Sequence, residues 1–406
     1  MTQTPPPELP PTPVEDVPPA SDWLAPPGRG GAAMLRSLVM PALAFATALV
    51  IGAFIIAFSD VDSLPLLLSE PGAALSSMWR EVLLSYRALF RGAVGSVNAI
   101  SETLFSATPL IFASLGVALG FRAGLFNIGG LGQMLIGGMS AVLVGVYVDL
   151  PAPIHITLTL LAGLVGGMLW GGIPGLLKAR TGAHEVITTI MFNFIAIYLV
   201  QWLLNIPLFQ EAGRNNPVST PILPSARLTP LFGSNYRVTI GFVIAVGAVF
   251  LVRWLLFKSS LGFEFRVLGL NQQAGRYAGM SVPVLITLAM ALAGGLAGMA
   301  GANQVMGLAP FKAAPSLAGS VGFDAITVAL LGRSHPMGVL WSALLFGALK
   351  AGGREMQGAA QVPLDLVVVL QALIVILVAA PALVRAIYRL KGESERPTQL
   401  TKGWGS

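Results

Sequence analysis

The chain has no cysteine, three histidines, and charged side chains at only 10% of its 406 positions. The first absence excludes disulfides, thiolate metal sites and a cysteine nucleophile. His155, His184 and His335 are scattered, without the close pairing that zinc ligands show. The scarcity of charge excludes an ordinary soluble domain, where roughly a quarter of residues are charged. No G-x-x-x-x-G-K-[ST] segment occurs, so the chain cannot hydrolyse ATP by itself. No cluster of His, Asp and Glu stands at the end of an apolar run, as an integral-membrane enzyme would need.

What is present is apolar. Hydrophobic residues make up 55% of the chain, which holds 47 glycines, and the mean hydropathy is +0.77. These values describe an all-α, polytopic helical bundle in a membrane. About 20 apolar residues cross a bilayer core as helix. Apolar runs with few or no charges fall at 37 to 58, 98 to 120, 124 to 149, 154 to 177, 186 to 206, 238 to 257, 282 to 303, 321 to 332, 336 to 352 and 363 to 386. Ten spans are expected. Residues 1–33 read as a Pro-rich disordered tail, 34–392 as the membrane domain and 393–406 as a C-terminal tail. Arg29, Arg36, Arg122, Lys178, Arg180, the Lys258 to Arg276 group, Arg333, Arg385, Arg389 and Lys391 gather on one side, which places both termini in the cytoplasm. The segment Asp60 to Arg91 has helix-spaced Leu, Trp and Tyr with charges between, and reads as an interfacial helix flat on the outer face.

Two Gly-rich segments interrupt the spans. In Gly120 to Gly145, Asn127, Gln133 and Ser140 break an apolar run with close-set glycines, which suits either tight helix packing or a path lining. In Ser316 to Gly353 neither half reaches spanning length before Arg333 or Lys350, the pattern of broken helices at a transport site. Asp324 sits inside this second segment, and it reads either as a path residue or as a cap on a half-helix. An offset of five spans between the segments would turn the second copy upside down, so inverted repeats are expected. The solute suited to such a path is uncharged and rich in hydroxyls, facing Asn127, Gln133, Ser140, Asn193 and Thr188 or Thr189. Each of these side chains suits an interhelical hydrogen bond equally well.

Between the sixth and seventh runs lies a charged island, Lys258 to Ser281, reading KSSLGFEFRVLGLNQQAGRYAGMS. Its Gln273-Ala274-Gly275, followed after three residues by Gly279, resembles the E-A-A-x-x-x-G loop of binding-protein-dependent ABC importer permeases, with Gln in place of Glu. GLFNIGGLGQMLIGG from Gly124, EVITTIMFNFIAIYL from Glu185, GLNQQAGRYAGM from Gly269 and GFDAITVALLGRSHPMG from Gly322 resemble, in order, the motifs of the nucleoside and simple-sugar branch of that family. Branched-chain amino acid and ribose-type permeases are its wider relatives. The resemblance implies a permease subunit in a bacterial inner membrane, paired with a second homologous permease, two ABC ATPase subunits that hydrolyse the ATP, and an extracytoplasmic substrate-binding lipoprotein. It implies no cofactor on this chain and no nucleic-acid partner. The island (258–282) would be the coupling loop, with a short helix from Asn271 to Ala278. Asn271, Gln273, Ala274, Gly275, Arg276 and Gly279 would meet the ATPase, and Arg266 and Glu264 would supply charge. Asn127, Gln133, Asn193 and Asp324 are the expected substrate-path residues. An ion-coupled secondary transporter of a similar polar uncharged solute is the alternative.

Overall fold

The computed structural model describes residues 31–59 and 69–388, apart from 214 and 234. Most of the tail expected over 1–33, all of that over 393–406, and the stretch 60–68 lie outside the described residues. The elements are α1 (Gly31–Ser59), α2 (Pro71–Val94), α3 (Val97–Arg122), α4 (Gly130–Tyr147), α5 (Ala152–Thr181), α6 (Glu185–Leu203), α7 (Ile240–Lys258), α8 (Ser260–Leu270), α9 (Gln272–Tyr277), α10 (Val282–Gly307), α11 (Val321–Leu331), α12 (Pro336–Ala360), α13 (Leu364–Ala379) and α14 (Pro381–Tyr388). No strand occurs among the described residues, only the isolated bridges Gln210 with Ser219 and Pro230 with Thr239.

Each of the ten apolar runs falls largely on helix, because a helix satisfies its own backbone where no water can. Among the described residues six helices, α3 to α7 and α10, are long and apolar enough to cross a membrane; Leu43–Ser59, Val321–Leu331 and Asp365–Leu377 are shorter apolar stretches. The boundaries follow local chemistry. The Ser96, Thr239 and Ser259 hydroxyls accept backbone N–H groups at the starts of α3, α7 and α8. Pro336 opens α12, and Gly182 closes α5 at φ +71°. The last run divides at Ala380 into α13 and α14.

α3 is the central post. It is buried along nearly its whole length and touches α10, α12, α11 and α7. α10 packs closely on α5 and α4. The contact is backbone to backbone: a Cβ added at Gly298 would meet Gly167 Cα at 2.8 Å, and one added at Gly171 would meet Gly294 Cα at 2.9 Å. Gly163, Gly167 and Gly171 on α5 therefore mesh with Gly294 and Gly298 on α10, at the four-residue spacing that aligns small residues on one helix face. A second, smaller core joins α1, α2, α13 and the end of α12. There α2 buries Ala74, Met78, Val82, Ala88 and Leu89, and the Tyr86 hydroxyl donates to Leu49 O of α1. The helix expected near Asp60 to Arg91 thus forms over Pro71–Val94 and packs along α12 and α1.

Two breaks give the bundle its shape. After α3 the chain crosses 123–129 without helix before α4 begins, and after α10 it crosses 308–320 before α11 begins. The two new helices start against each other: a Cβ on Gly130 would meet Gly322 O at 3.1 Å, and one on Gly322 would meet Leu131 N at 2.5 Å. From there they diverge. α4 runs towards the loop at Ile222 and Ala226, which its Gly145 touches. α11 runs the other way, to the turn at Arg333 and Ser334, where both carbonyls accept from the Arg122 guanidinium. α4 and α11 thus meet at their starts and run in opposite directions.

Candidate transport site and coupling surface

α4 and α11 meet part-way along the bundle. α11 has 11 residues, so its start stands roughly 16 Å from the Arg122 end of the bundle, about half of a ~30 Å hydrocarbon core. The backbone that leads to α4 is held by the amides singled out from sequence. Asn127 Nδ2 donates to Gln133 Oε1 at 3.1 Å, and Gln133 Nε2 returns a bond to Asn127 Oδ1 at 3.1 Å. Asn127 Oδ1 also accepts from Gly129 N at 2.9 Å. Asn193, across on α6, accepts from Gly132 N at 2.8 Å and donates to Ile128 O at 2.9 Å, while Thr189 Oγ1 accepts from Ile128 N at 3.3 Å. All four side chains are buried. Their polar groups are matched within the chain, so the network fixes the non-helical backbone that opens α4.

Asp324 is placed differently. It lies in the first turn of α11, where the helix dipole favours a carboxylate. Its side chain pairs with Lys350 Nζ of α12 at 2.6 Å and accepts from Ser320 Oγ at 2.7 Å, rather than from backbone N–H groups. Ser140 bonds its own helix, at Ile136 O. Thr188 does the same at His184 O and Glu185 O.

The island folds as α8, a sharp corner, and α9. Asn271 Oδ1 accepts from Ala274 N at 3.0 Å and caps the six-residue α9. Gly279 follows at φ +81°, a left-handed value that glycine accepts freely and that frees the chain to enter α10. Asn271, Gln273, Ala274, Arg276 and Gly279 are exposed, whereas Gly275 is buried, near Val267 and Met280. Sequence reasoning passed over two neighbours. Tyr277, at the end of α9, is 92% exposed and Leu270, at the end of α8, 81%. In sequence Tyr277 stands among small and polar residues, whereas Leu270 follows Phe263, Phe265, Val267 and Leu268 and carries no such signal.

This projection is tied to the bundle by close contacts. A Cβ on Gly269 would meet Gly124 N at 2.9 Å, just past the end of α3. Arg122 and Arg266 both lie over the Phe257 ring, at 5.7 and 5.6 Å, and His335 packs on that ring at 5.2 Å. Arg266, expected to face the ATPase, is thus turned in towards the bundle. Burial and the Arg122 and Arg253 cations hold the His335 imidazole below the ordinary histidine range. Among the described residues no three of His, Asp and Glu gather to hold a metal ion.

Broken helices in an apolar bundle, with a rigidly seated aqueous projection, define the class: a polytopic membrane transport protein. Residues 99–379 match the family described as branched-chain amino acid transport system / permease component, and the chain belongs to it. It is 38% identical over 302 residues to the guanosine ABC transporter permease protein NupP of Bacillus subtilis, covering 74% of this chain and 87% of that one. It is 33% identical to the nucleoside ABC transporter permease protein NupB of Lactococcus lactis, covering 79% and 89%. A glucose ABC transporter permease protein of Haloferax volcanii is 35% identical, covering 76% and 83%. No solved structure matches the chain with significance. The chain is therefore a multi-pass permease subunit of an ABC transporter, in which ATP hydrolysis belongs to a separate subunit and a binding protein is the general partner.

Proposed function

We propose that this chain carries nucleosides across a bacterial inner membrane as one permease of an ATP-driven importer. The observation that carries the reading is the exposed, capped helix α9, with Tyr277 and Leu270 displayed beside it, in a chain most of whose length matches guanosine and nucleoside permeases. The basic end of the bundle faces the cytoplasm, with both termini on that side. There α9 seats in a cleft of an ABC ATPase, with Gln273, Ala274 and Arg276 at the contact and Gly275 and Gly279 shaping the turn. Gln273 offers the ATPase an amide where a carboxylate stands in the E-A-A-x-x-x-G loop, so recognition rests more on shape and apolar burial than on an ion pair. Movement of α9 reaches the helix breaks through two seams: Gly269 on Gly124, and Arg266 on Phe257 with His335 behind it. Asn127, Gln133 and Asn193 position the start of α4, and Asp324 the start of α11, so the breaks keep their form while the helices tilt. A second permease of the same family completes the path, and a lipoprotein delivers the solute. The cofactor need is met outside this chain, by ATP on the partner subunits.

A simple sugar is the second reading, favoured by the similarity to the glucose permease. Uptake of labelled guanosine and of labelled glucose into vesicles, by the complete transporter and by versions lacking the ATPase or the lipoprotein, tests both. Guanosine uptake that requires every subunit is expected. Uptake by the permeases alone would overturn the ATP-driven reading in favour of ion coupling, and uptake of glucose alone would replace the solute.

A further inference from the structure

One face of the bundle is polar where the faces of α5 and α7 are apolar. On α12, Arg354 pairs with Glu102 of α3 at 3.3 Å and donates to Ser106 Oγ at 2.7 Å, and Arg237 joins the same carboxylate at 3.0 Å. One turn earlier, Lys350 pairs with Asp324 of α11 and reaches Ser320 Oγ at 3.2 Å. Gln357 and Gln361 continue the stripe, both exposed. Beside it, Pro315, Ser316, Gly319 and Ser320 are exposed although their backbone is non-helical. At 1.5 Å per residue Lys350 lies roughly 21 Å along α12 from Pro336, still inside a core of about 30 Å. By contrast α5 displays Leu161, Val165, Leu169 and Ile173, and α7 displays Val243, Phe250, Leu251 and Trp254, all apolar.

Two independent rules forbid lipid on the polar face. Ionisable side chains at membrane depth face protein or water-filled space. Non-helical backbone at that depth survives only where it is buried in protein or lines such a space. Here the Lys350–Asp324 pair is partly exposed and the segment is open, so neither is covered by this chain.

We infer that this face, built from α3, α11, α12 and the segment 315–320, is the wall that this chain contributes to an aqueous translocation path for a neutral, hydroxyl-bearing solute. The inference deepens the reading of the chain as an importer permease and rests on it. The cross-helix pair of Asp324 with Lys350 and the cluster of Glu102 with Arg354 and Arg237 brace the wall. A wall of paired charges and hydroxyls offers hydrogen bonds to sugar hydroxyls. Because α11 begins at the helix break, tilting it moves Asp324 against Lys350 and alters the width of the path at that level.

The chain lacks cysteine, so a single introduced cysteine is the one site of labelling on this chain, read after the labelled subunits are separated by denaturing gel. In the complete transporter, Ser316→Cys, Ser320→Cys and Ser106→Cys are tested with a membrane-impermeant thiosulfonate reagent against the lipid-side controls Leu169→Cys and Phe250→Cys. Ser316 is exposed and its replacement disturbs no buried side chain, so it serves if the other two variants fail to assemble. Reaction at least about tenfold faster than at the controls is expected, as water-filled space requires. Reaction as slow as at the controls would overturn the assignment. So would reaction in the isolated chain that vanishes on assembly, which would make this face a contact with the second permease. Labelling does not depend on the solute: a transporter that labels as expected but fails to import guanosine or glucose keeps the wall and loses the functional reading.

Discussion

At the scale of single residues the difference between burial and exposure separates two kinds of polar side chain. Asn127, Gln133 and Asn193 stand out in sequence because an amide in an apolar run needs a partner, and the structure supplies that partner from the chain itself. Asn193→Leu would strand Gly132 N–H and Ile128 C=O, at a cost of about 1–3 kcal/mol for each unpaired group. A lowered melting temperature of the detergent-purified chain is the expected result; an unchanged melting temperature with altered affinity for the solute would place Asn193 on the path instead. Tyr277 is the opposite case. Being 92% exposed, it contributes little to folding, so Tyr277→Ala should leave melting unchanged. If it anchors in the ATPase cleft, the same variant should weaken ATPase capture by about 2 kcal/mol or more, as interface anchors do. Co-purification of the ATPase with the variant permease checks this. Gly279 makes a poorer probe than its place in the motif suggests, because its φ of +81° would strain any larger residue before the partner is met.

At the scale of elements the close seam of α5 on α10 carries much of the bundle. Glycine occurs throughout membrane helices, so Gly163, Gly167 and Gly171 did not stand out in sequence from the other glycines. Only their pairing with Gly294 and Gly298 shows which ones touch backbone. Gly298→Leu must push α5 and α10 apart, since an added Cβ meets Gly163 and Gly167. The expected cost exceeds the roughly 1–3 kcal/mol of ordinary overpacking. Gly247→Leu, where nothing lies within 4 Å of an added Cβ, is the control. Fluorescence-detected size-exclusion profiles should lose the monodisperse peak for the first and keep it for the second. The helix α2 shows the limit of reading one element alone. Its charges and aromatics suggest an interfacial position, and which helices its buried face meets, α12 and α1, depends on segments far along the chain.

At the scale of the whole molecule the coupling surface and the helix breaks are joined through the cluster of Arg122, Phe257, Arg266 and His335. His335 has its pKa lowered by burial and by Arg122 and Arg253. In the window between its folded value and the unfolded value of about 6.5, the unfolded chain binds more protons, so stability rises with pH. Acidification from about pH 7 to about pH 5 should therefore lower the melting temperature as His335 is forced to charge beside two arginines. His335→Gln should remove that part of the loss. A profile unchanged by the substitution would show that the cluster does not carry it. The sequence alone determined the all-helical membrane class, the ten apolar runs, the two interrupted segments and the short helix of the island. These are properties of composition, run length and capping, which act over a few turns of chain. The meeting of Gly130 with Gly322, the Gly298 seam and the polar stripe from Glu102 to Lys350 were decided only in three dimensions. Each depends on which helix faces which, and that choice is made by the summed fit of backbones and charges distant in sequence.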